Sequence, residues 1–499
     1  MTQQYIFDPI PCDKFDLLSK EEVVELCKGL QDFNRQLQTA LSEATAKITS
    51  GEQKSFLLNE QLINIKHRLF GKSSEKSKTG AKGPSGQSSK KRVLLPSERY
   101  PGLDIIEKDV TLDKEPNCPC CSSKMKDTGM TEDGEYLTVI PKRYYVVRQK
   151  RHKYSCPTCQ GAVVTAPLIP RVTPGSSYSD EMMVDVAMSK YLELVPVERY
   201  SSIAKREGVD LAPNSLIQLT HNLADFVVPV YEKIKQEVLA SEIIHADETP
   251  HRMLEGDKKS NWYFWGFSNT KASYFEARDT RSGDVAVELL KGSQCRYLVS
   301  DVFSGYERAV AETNKIREGP KIQSLFCHAH ARRKFKEAEK SNEDAEFFVR
   351  AYKAIYRLEK GNLETRRAWQ RLYLEALKTK AQRLEVKTLR ASAMGKAISY
   401  FLNNFEGLLR FTERDDLPID NNAQERQLRT PVIGRKTWYG THSRRGAMTA
   451  SILFSIVESC KLNQVNPRQY LKDLIHSAHQ VQGVFTPAQY AERSAQNNG

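Results

Sequence analysis

The sequence predicts a multidomain α+β protein, and three observations lead to this prediction. Apolar residues recur in heptads near the N-terminus, two C-x-x-C pairs flank an alternating stretch, and strands then alternate with amphipathic helices from residue 241 onward. The 499 residues are enough for about three domains with cores of their own.

The composition favours a polyanionic partner. Lys and Arg total 75 against 62 Asp and Glu, a net charge of +13, so nucleic acid is the simplest partner, although a merely basic soluble protein has the same balance. No window approaches the roughly 18 apolar residues of a membrane helix, and the N-terminus lacks a signal-peptide pattern. We therefore expect a cytoplasmic protein without a membrane partner.

Residues 1–70 are predicted to be helical and to form a coiled-coil dimerisation segment. The heptad positions are occupied by Val23, Leu26, Leu30, Phe33, Leu37, Ala40 and Ala44. The alternative is an amphipathic helix packed on its own domain. Residues 71–100 follow as a flexible basic linker, with eight Lys or Arg and two Glu between Lys72 and Arg99.

Residues 101–175 carry the strongest metal signal, because five of the ten cysteines lie between positions 118 and 159. Two C-x-x-C turns suit one tetrahedral Zn²⁺ in a zinc ribbon. The predicted ligands are Cys118, Cys121, Cys156 and Cys159. Cys120 is a poorer alternative to Cys121. The stretches YLTVI and RYYVVRQKRHKYSC between the pairs are expected to form a hairpin.

Basic residues on this ribbon favour contact with duplex DNA. The candidates are Arg143, Arg148, Lys150 and Arg151. A purely structural ribbon is the alternative. Residues 176–240 are predicted to be all-helical and to resemble a helix-turn-helix DNA-binding domain, although any helical domain has similar turns.

Residues 241–335 predict the first part of a ribonuclease-H-like core, since three strands, a helix, a strand and further α and β elements follow in that order. The strand SEIIHAD ends in Asp247, and the strand QCRYLVSD ends in Asp301. Neighbouring strands would bring both carboxylates to one edge, where two divalent cations would offset their repulsion and support phosphoryl transfer. Alone, Asp247 suits a turn and Asp301 a helix cap.

The third acid is predicted to be Glu425, in the stretch IDNNAQERQLR. It lies 124 residues after Asp301, far more than the roughly 50 that the remaining core needs. We therefore expect a helical insertion at 336–410, a core helix within 411–455 and a tail at 456–499. Asp420 or Asn421 is expected to cap this helix. In a simple surface helix, Glu425 would instead pair with Arg429.

Four stretches, taken in order, resemble the transposases of the insertion-sequence-66 family: HADETPHRML, SDVFSGYE, FCHAHARRKF and PIDNNAQERQLR. The resemblance covers nearly the whole chain. One departure is SDVFSGYE, where a Gly-Tyr pair directly after the Asp is expected. It implies a DDE triad of Asp247, Asp301 and Glu425, and a reaction that cuts element ends and joins the 3′-OH to target DNA.

The residues and the resemblance together predict cofactors and partners. We expect two Mg²⁺ (or Mn²⁺) ions per active site, with Asp247 bridging both, in addition to Zn²⁺. The expected partners are double-stranded DNA at the element ends and the target, a second copy in a homodimer or higher oligomer, and accessory proteins of the same element. The expected location is bacterial, cytoplasmic and nucleoid-associated.

Basic residues near the predicted site are candidates to hold DNA. They are Arg332, Arg333, Lys334, Arg426, Arg435, Lys436, Trp438, Arg444 and Arg445. A solvated basic face and a tryptophan in the core are the alternatives. Cys327, His328 and His330 have a C-H-x-H spacing that lacks further ligands, so packing or DNA contact is favoured over a second zinc site.

Two other functions remain open from the sequence. One is a ribonuclease-H-like nuclease that cuts DNA without strand transfer. The other is a non-catalytic DNA-binding regulator whose acids are inert. Metal-dependent strand transfer into a second duplex separates the three.

Overall fold

The structure is a computed structural model. It describes residues 94–110, 116–117, 119–125, 134–139, 142–156, 163–254, 261–361, 364–480 and 482–497. The predicted coiled coil and most of the basic linker lie outside these residues. The chain divides into two units, residues 73–149 and the remainder.

The unit of residues 73–149 has little regular structure in its described part. Helix α1 spans Pro96–Arg99, and the Ser97 hydroxyl donates to Glu135 at 2.8 Å. An antiparallel bridge joins Asn117 to Lys124, so Cys121 lies within a tight loop.

The hairpin predicted between the cysteine pairs is wrong within the described residues. Residues 134–139 and 142–152 form no strand there, and their apolar side chains, such as Val139 and Val146, are exposed. Without a buried face, nothing selects a register for pairing. In the other unit, β1 (Lys153–Ser155) pairs antiparallel with β2 (Val163–Thr165). In the chain, β1 precedes the second C-x-x-C pair and β2 follows it.

A five-stranded mixed sheet forms the centre of the larger unit. Its strands are β3 (Ile243–Arg252), β4 (Asn261–Ser268), β5 (Ser273–Arg278), β6 (Tyr297–Ser300) and β7 (Gln323–Phe326). The order across the sheet is β5-β4-β3-β6-β7. The pairs β3/β4 and β4/β5 are antiparallel, whereas β3/β6 and β6/β7 are parallel.

Helices surround this sheet. Those before β3 are α2 (Asp180–Tyr191), α3 (Val197–Arg206), α4 (Pro213–Phe226) and α5 (Val228–Leu239), and those between the strands are α6 (Asp284–Lys291) and α7 (Ser304–Ile316). Those after β7 are α8 (His328–Ala338), α9 (Asp344–Glu359), α10 (Arg366–Glu385), α11 (Ala393–Asn403), α12 (Phe405–Leu409), α13 (Asn422–Trp438), α14 (Arg444–Leu462), α15 (Pro467–His479) and α16 (Pro487–Asn497). None of these helices is long and apolar enough to cross a membrane.

The alternation of β4 assigns the helices to the two faces of the sheet. Phe264 meets Phe454 of α14 edge to face, while the next residue, Trp265, meets Tyr306 of α7 on the opposite face. Helices α9 and α11 pack on α8, α10 packs on α9 and α11, and α12 packs on β7. They share a core with β6 and β7 that includes Val299, Phe335 and Phe401. The predicted 336–410 region is thus helical, and it leads back to α13 on the Phe454 face.

Candidate active site

Asp247 lies in the middle of β3, so the prediction that it ends its strand is wrong. Parallel pairing with β6 is recorded only as far as His245↔Val299, but β3 continues to Arg252 against β4. The stretch DETPHR, which alone suits a turn, is held extended by the aromatic strand β4. Asp247 therefore lies just beyond the last recorded residue pair between β3 and β6, in a part of β3 that still pairs with β4.

Asp301 follows β6 directly, as predicted. Since His245 pairs with Val299, extending this register by two residues places Asp247 beside Asp301. Adjacent strands lie about 4.8 Å apart. The structure thus brings the first two predicted acids together where the parallel pairing of β3 and β6 ends.

Asn421 fastens the start of α13 to β3. Its Nδ2 donates to the Ala246 carbonyl at 2.8 Å, and its Oδ1 lies 2.9 Å from Nδ1 of buried His245. The Glu425 N–H donates to the Asn421 carbonyl at 3.1 Å, which places Glu425 one turn further along on the same side. Through these bonds, Asn421 positions Glu425 near Asp247, the residue after Ala246.

A glycine opposite Asp247 lets α13 approach the sheet. Asp247 pairs with Gly266 on β4, and a Cβ at Gly266 would clash with Nε2 of Gln424. The Gln424 side chain fills that space, with Oε1 accepting from the Ser268 hydroxyl at 2.5 Å. Glu425 is the next residue, so this close approach also sets its position.

The three acids interact electrostatically. Burial, together with the charges of Glu248, Asp301 and Glu425, raises the pKa of Asp247 to about 8. Oδ1 of Asp301 and Oε1 of Glu425 are buried without a hydrogen-bond partner within the described residues. Unpartnered carboxylate oxygens are costly unless a cation offsets them, and an all-oxygen set suits Mg²⁺. The residues present therefore fit a divalent cation.

The metal-free protein is expected to lose stability as the pH rises from about 4 to about 8. The pKa of Asp247 moves from 3.8 in its ordinary state to about 8 in the fold. Within this interval the folded state binds more protons than the unfolded state, so the free energy of unfolding falls with pH. Thermal unfolding in EDTA, measured between about pH 4 and pH 8, tests this expected loss of stability. Asp247→Asn should lessen this loss of stability, and the same dependence on pH in the variant and the wild type would contradict the assignment.

Asn421→Ala is expected to destabilise the protein by about 2 kcal/mol or more, because the buried Ala246 carbonyl and His245 ring both lose their partner. Urea unfolding measures this cost. Asn422→Ala is the matched control, since among the described residues the Asn422 side chain donates only to its neighbour Asp420. Equal losses in the two variants would argue against Asn421 as the anchor.

Glu248 is a buried acid that the sequence interpretation missed. Its side chain is only 2 % exposed and pairs with Arg281 at 2.6 Å. The Tyr306 hydroxyl donates to it at 2.7 Å. Since alternation turns Glu248 away from the face of Asp247, this network ties β3 to α7, just after Asp301. The signal for it in the sequence is the Tyr of SDVFSGYE, which is Tyr306.

Cys327 and His330 lie beside Glu425. The Asn421 N–H donates to the Cys327 sulfur at 3.2 Å, and Nδ1 of His330 lies 3.7 Å from Oε1 of Glu425. Burial raises the pKa of the Cys327 thiol to about 12. His328 instead turns into the core, with its Nε2 2.6 Å from the Leu408 carbonyl. The structure thus separates the two histidines of the C-H-x-H motif.

The predicted DNA-binding residues differ in how the protein engages them. Lys334 packs over the Tyr400 ring, Arg444 lies over Trp262, and Arg445 pairs with Asp225 at 2.9 Å. The exposed candidates on α8 and α13 are Arg333, Arg426 and Lys436. Arg332 is partly buried.

Trp438 packs within the protein. Its ring meets Tyr191 of α2 edge to face at 6.3 Å, and Lys190 lies 5.1 Å from its centroid. The structure favours the packing interpretation for this tryptophan. The adjacent Tyr439 is 75 % exposed and has a left-handed φ of 64°. Arg435, on the same helix, lies 3.5 Å from the Thr249 hydroxyl of β3.

The ribbon residues are only partly described. Cys118 and Cys159 lie outside the described residues, Cys121 is exposed and Cys156 is partly buried. Arg143, Arg148, Lys150 and Arg151 are all exposed. Arg151 also donates from Nε to the Ala166 carbonyl at 2.7 Å, beside the β1–β2 pair.

Two neighbouring acids on a mixed sheet and a third acid on a helix packed against it are typical of proteins that carry out metal-dependent chemistry on phosphates. Comparison with known families specifies it further. The family described as Transposase IS66 family matches residues 175–449, and the zinc-finger binding domain of transposase IS66 matches residues 115–160. The chain belongs to the IS66 family of transposases.

Relatives from Sinorhizobium fredii extend the similarity over most of the chain. The protein named y4hP is 26 % identical over 489 residues, covering 91 % of this chain and 85 % of its own length. The protein named y4qI is 25 % identical and covers 92 % of this chain and 86 % of its own. Both are described as uncharacterized, so the family assignment rests on the family matches.

Proposed function

We propose that this transposase cuts the ends of a bacterial insertion sequence and joins the resulting 3′-OH to target DNA. The observation that carries the proposal is the alignment of Asp247 and Asp301 by the β3–β6 register, with Glu425 presented by the helix that Asn421 fastens to Ala246. We assign Asp247, Asp301 and Glu425 as the catalytic triad.

We infer that the sheet is a ribonuclease-H-like core. Three antiparallel-paired strands, β5, β4 and β3, followed by two parallel ones, β6 and β7, support this inference. The helical region α9 to α12 then forms an insertion between β7 with its helix α8 and the acid-bearing α13. This arrangement explains how residues 124 positions apart in the chain serve one site.

The residues fit two divalent cations, Mg²⁺ or Mn²⁺. Asp247, between the other two acids, would be shared by both ions, while Asp301 and Glu425 would each hold one. When bound, such ions stabilise the attacking and leaving oxygens of a phosphoryl displacement. The protein supplies position: β3 and β6 fix two carboxylates, and Asn421 and Gln424 fix the third.

DNA binding is proposed to involve exposed and partly buried basic residues near the acids. Arg333 and Arg426 lie on the two helices that approach the site, and Arg435 and Lys436 continue along α13. Contacts of this kind position the phosphate backbone without reading sequence. We further propose one Zn²⁺ held by Cys118, Cys121, Cys156 and Cys159, supported by their spacing and by the zinc-finger match. Dimerisation through the predicted coiled coil remains a prediction.

The test is strand transfer with the native element ends and a target duplex, with and without Mg²⁺. Joined products that require Mg²⁺ support the proposal. Cleavage without joining would indicate a nuclease, and end binding without cleavage would indicate a DNA-binding regulator.

A further inference from the structure

Three potential metal ligands outside the carboxylate pair of β3 and β6 converge on one point. Cys327 at the end of β7, His330 in the first turn of α8 and Glu425 of α13 each offer one ligand atom, and these atoms lie within 4.8 Å of one another. The sequence gives Cys327 and His330 no third ligand. In the fold, Glu425 of α13, almost a hundred residues further along the chain, provides the third potential ligand.

Two of these atoms have no other use in the described part of the chain. Nδ1 of His330 and Oε1 of Glu425 are both buried and lack a hydrogen-bond partner there, although they lie 3.7 Å apart. Two unpartnered polar atoms that face each other are costly, and a shared cation would satisfy both.

We propose that Cys327, His330 and Glu425 form a second metal site that binds Zn²⁺, and that Zn²⁺ bound there competes with the catalytic cations for Glu425. The competition rests on the proposed function, because it requires Glu425 to be a catalytic ligand. The metal site itself rests only on the three side chains.

The ligand chemistry selects Zn²⁺ over Mg²⁺. Thiolate and imidazole are ligands that Zn²⁺ prefers, whereas Mg²⁺ prefers oxygen alone. Zinc bonds of about 2.0 to 2.3 Å place tetrahedral ligand atoms roughly 3.3 to 3.8 Å apart, so atoms now within 4.8 Å need only small side-chain rotations. The thiol proton passes to solvent on binding, and the Asn421 N–H that already faces the sulfur stabilises the thiolate.

Cobalt substitution tests the site without any reaction. Full-length protein with its zinc finger already loaded with Zn²⁺ is titrated with Co²⁺, and absorption from a Co²⁺–thiolate bond is recorded. The wild type should show this absorption, while Cys327→Ser, which retains a hydrogen-bond acceptor, should lose it. Cys295→Ser is the matched control, because Cys295 is also buried but lies before β6. His330→Ala and Glu425→Gln should each weaken Co²⁺ binding at least about tenfold. Identical spectra in wild type and Cys327→Ser would overturn the site.

Zinc inhibition tests the competition. Strand transfer in Mg²⁺ is measured with increasing Zn²⁺, and each variant is compared with itself without Zn²⁺. Wild type and Cys295→Ser should lose activity at certain Zn²⁺ concentrations. At the same concentrations, Cys327→Ser should keep the activity that it has without Zn²⁺. Equal inhibition of all three would overturn the competition. A cobalt–thiolate signal in a protein that joins no DNA would count against the proposed function but uphold the metal site, so the two failures are distinguishable.

Discussion

Asp247→Asn is expected to abolish DNA cleavage and strand transfer while the protein stays folded. Asp247 is the acid whose register neighbour is Asp301 and whose pKa responds to both Asp301 and Glu425, so it is the acid that two cations would share. Asn keeps the shape but removes the charge. Loss of several kcal/mol of transition-state stabilisation corresponds to a rate lower by about three orders of magnitude.

Stability distinguishes this loss from misfolding. Because Asp247 is partly buried among like charges, Asp247→Asn should unfold at a higher temperature than the wild type in EDTA at pH 8. Mg²⁺ should stabilise the wild type more than the variant, since only the wild type offers the full ligand set. Glu276→Gln is the control: Glu276 lies on β5 and pairs with Arg278, so activity should remain. An Asp247→Asn protein that still joins DNA in Mg²⁺ would disprove the triad.

The paired acids were predictable because they depend on local patterns. An apolar run that stops at a carboxylate marks the end of a buried parallel strand, and Asp301 follows that rule. Asp247 does not, since its strand runs on to Arg252 beside β4. The pairing that keeps DETPHR extended comes from aromatic residues of another strand, which a local turn preference does not take into account.

In the ribbon, by contrast, strands are predicted that do not form among the described residues. Its alternating residues have a strand-like pattern, but Tyr145 and Val146 are both exposed, so alternation there does not reflect a buried face. Only Lys153–Ser155 finds a partner among the described residues, and that partner lies after the second cysteine pair. Alternation predicts a strand only where another layer covers one side.

The partners of the CHAH motif depend on the fold as a whole. The His328 N–H donates to the Ile419 carbonyl at 3.2 Å, and the Asn421 N–H donates to Cys327. These bonds align the start of α8 with the start of α13, although a helical insertion separates them in the chain. No spacing rule within FCHAHARRKF indicates that Glu425 is the third ligand.

Glu425→Gln and Asp420→Asn are expected to separate the two acids of IDNNAQERQLR. Asp420 accepts from the Asn422 N–H at 3.1 Å and from the Asn422 side chain at 2.6 Å, so it supports the first turn of α13. Asn421 occupies the N-cap position but uses its side chain on β3. Asp420→Asn retains an acceptor and should cost no more than about 1 kcal/mol of stability, with activity near that of the wild type.

Glu425→Gln should behave in the opposite way. Its carboxylate is not needed for the helix, because the helix is held by Asn421 and Gln424, but it is needed for the metal. Strand transfer should fall by about two to three orders of magnitude with little change in urea unfolding. Raised Mg²⁺ or Mn²⁺ should recover part of the activity if the defect is metal affinity, and should not affect Asp420→Asn. Full activity in Glu425→Gln together with an inactive, folded Asp420→Asn would show that Asp420, not Glu425, completes the triad.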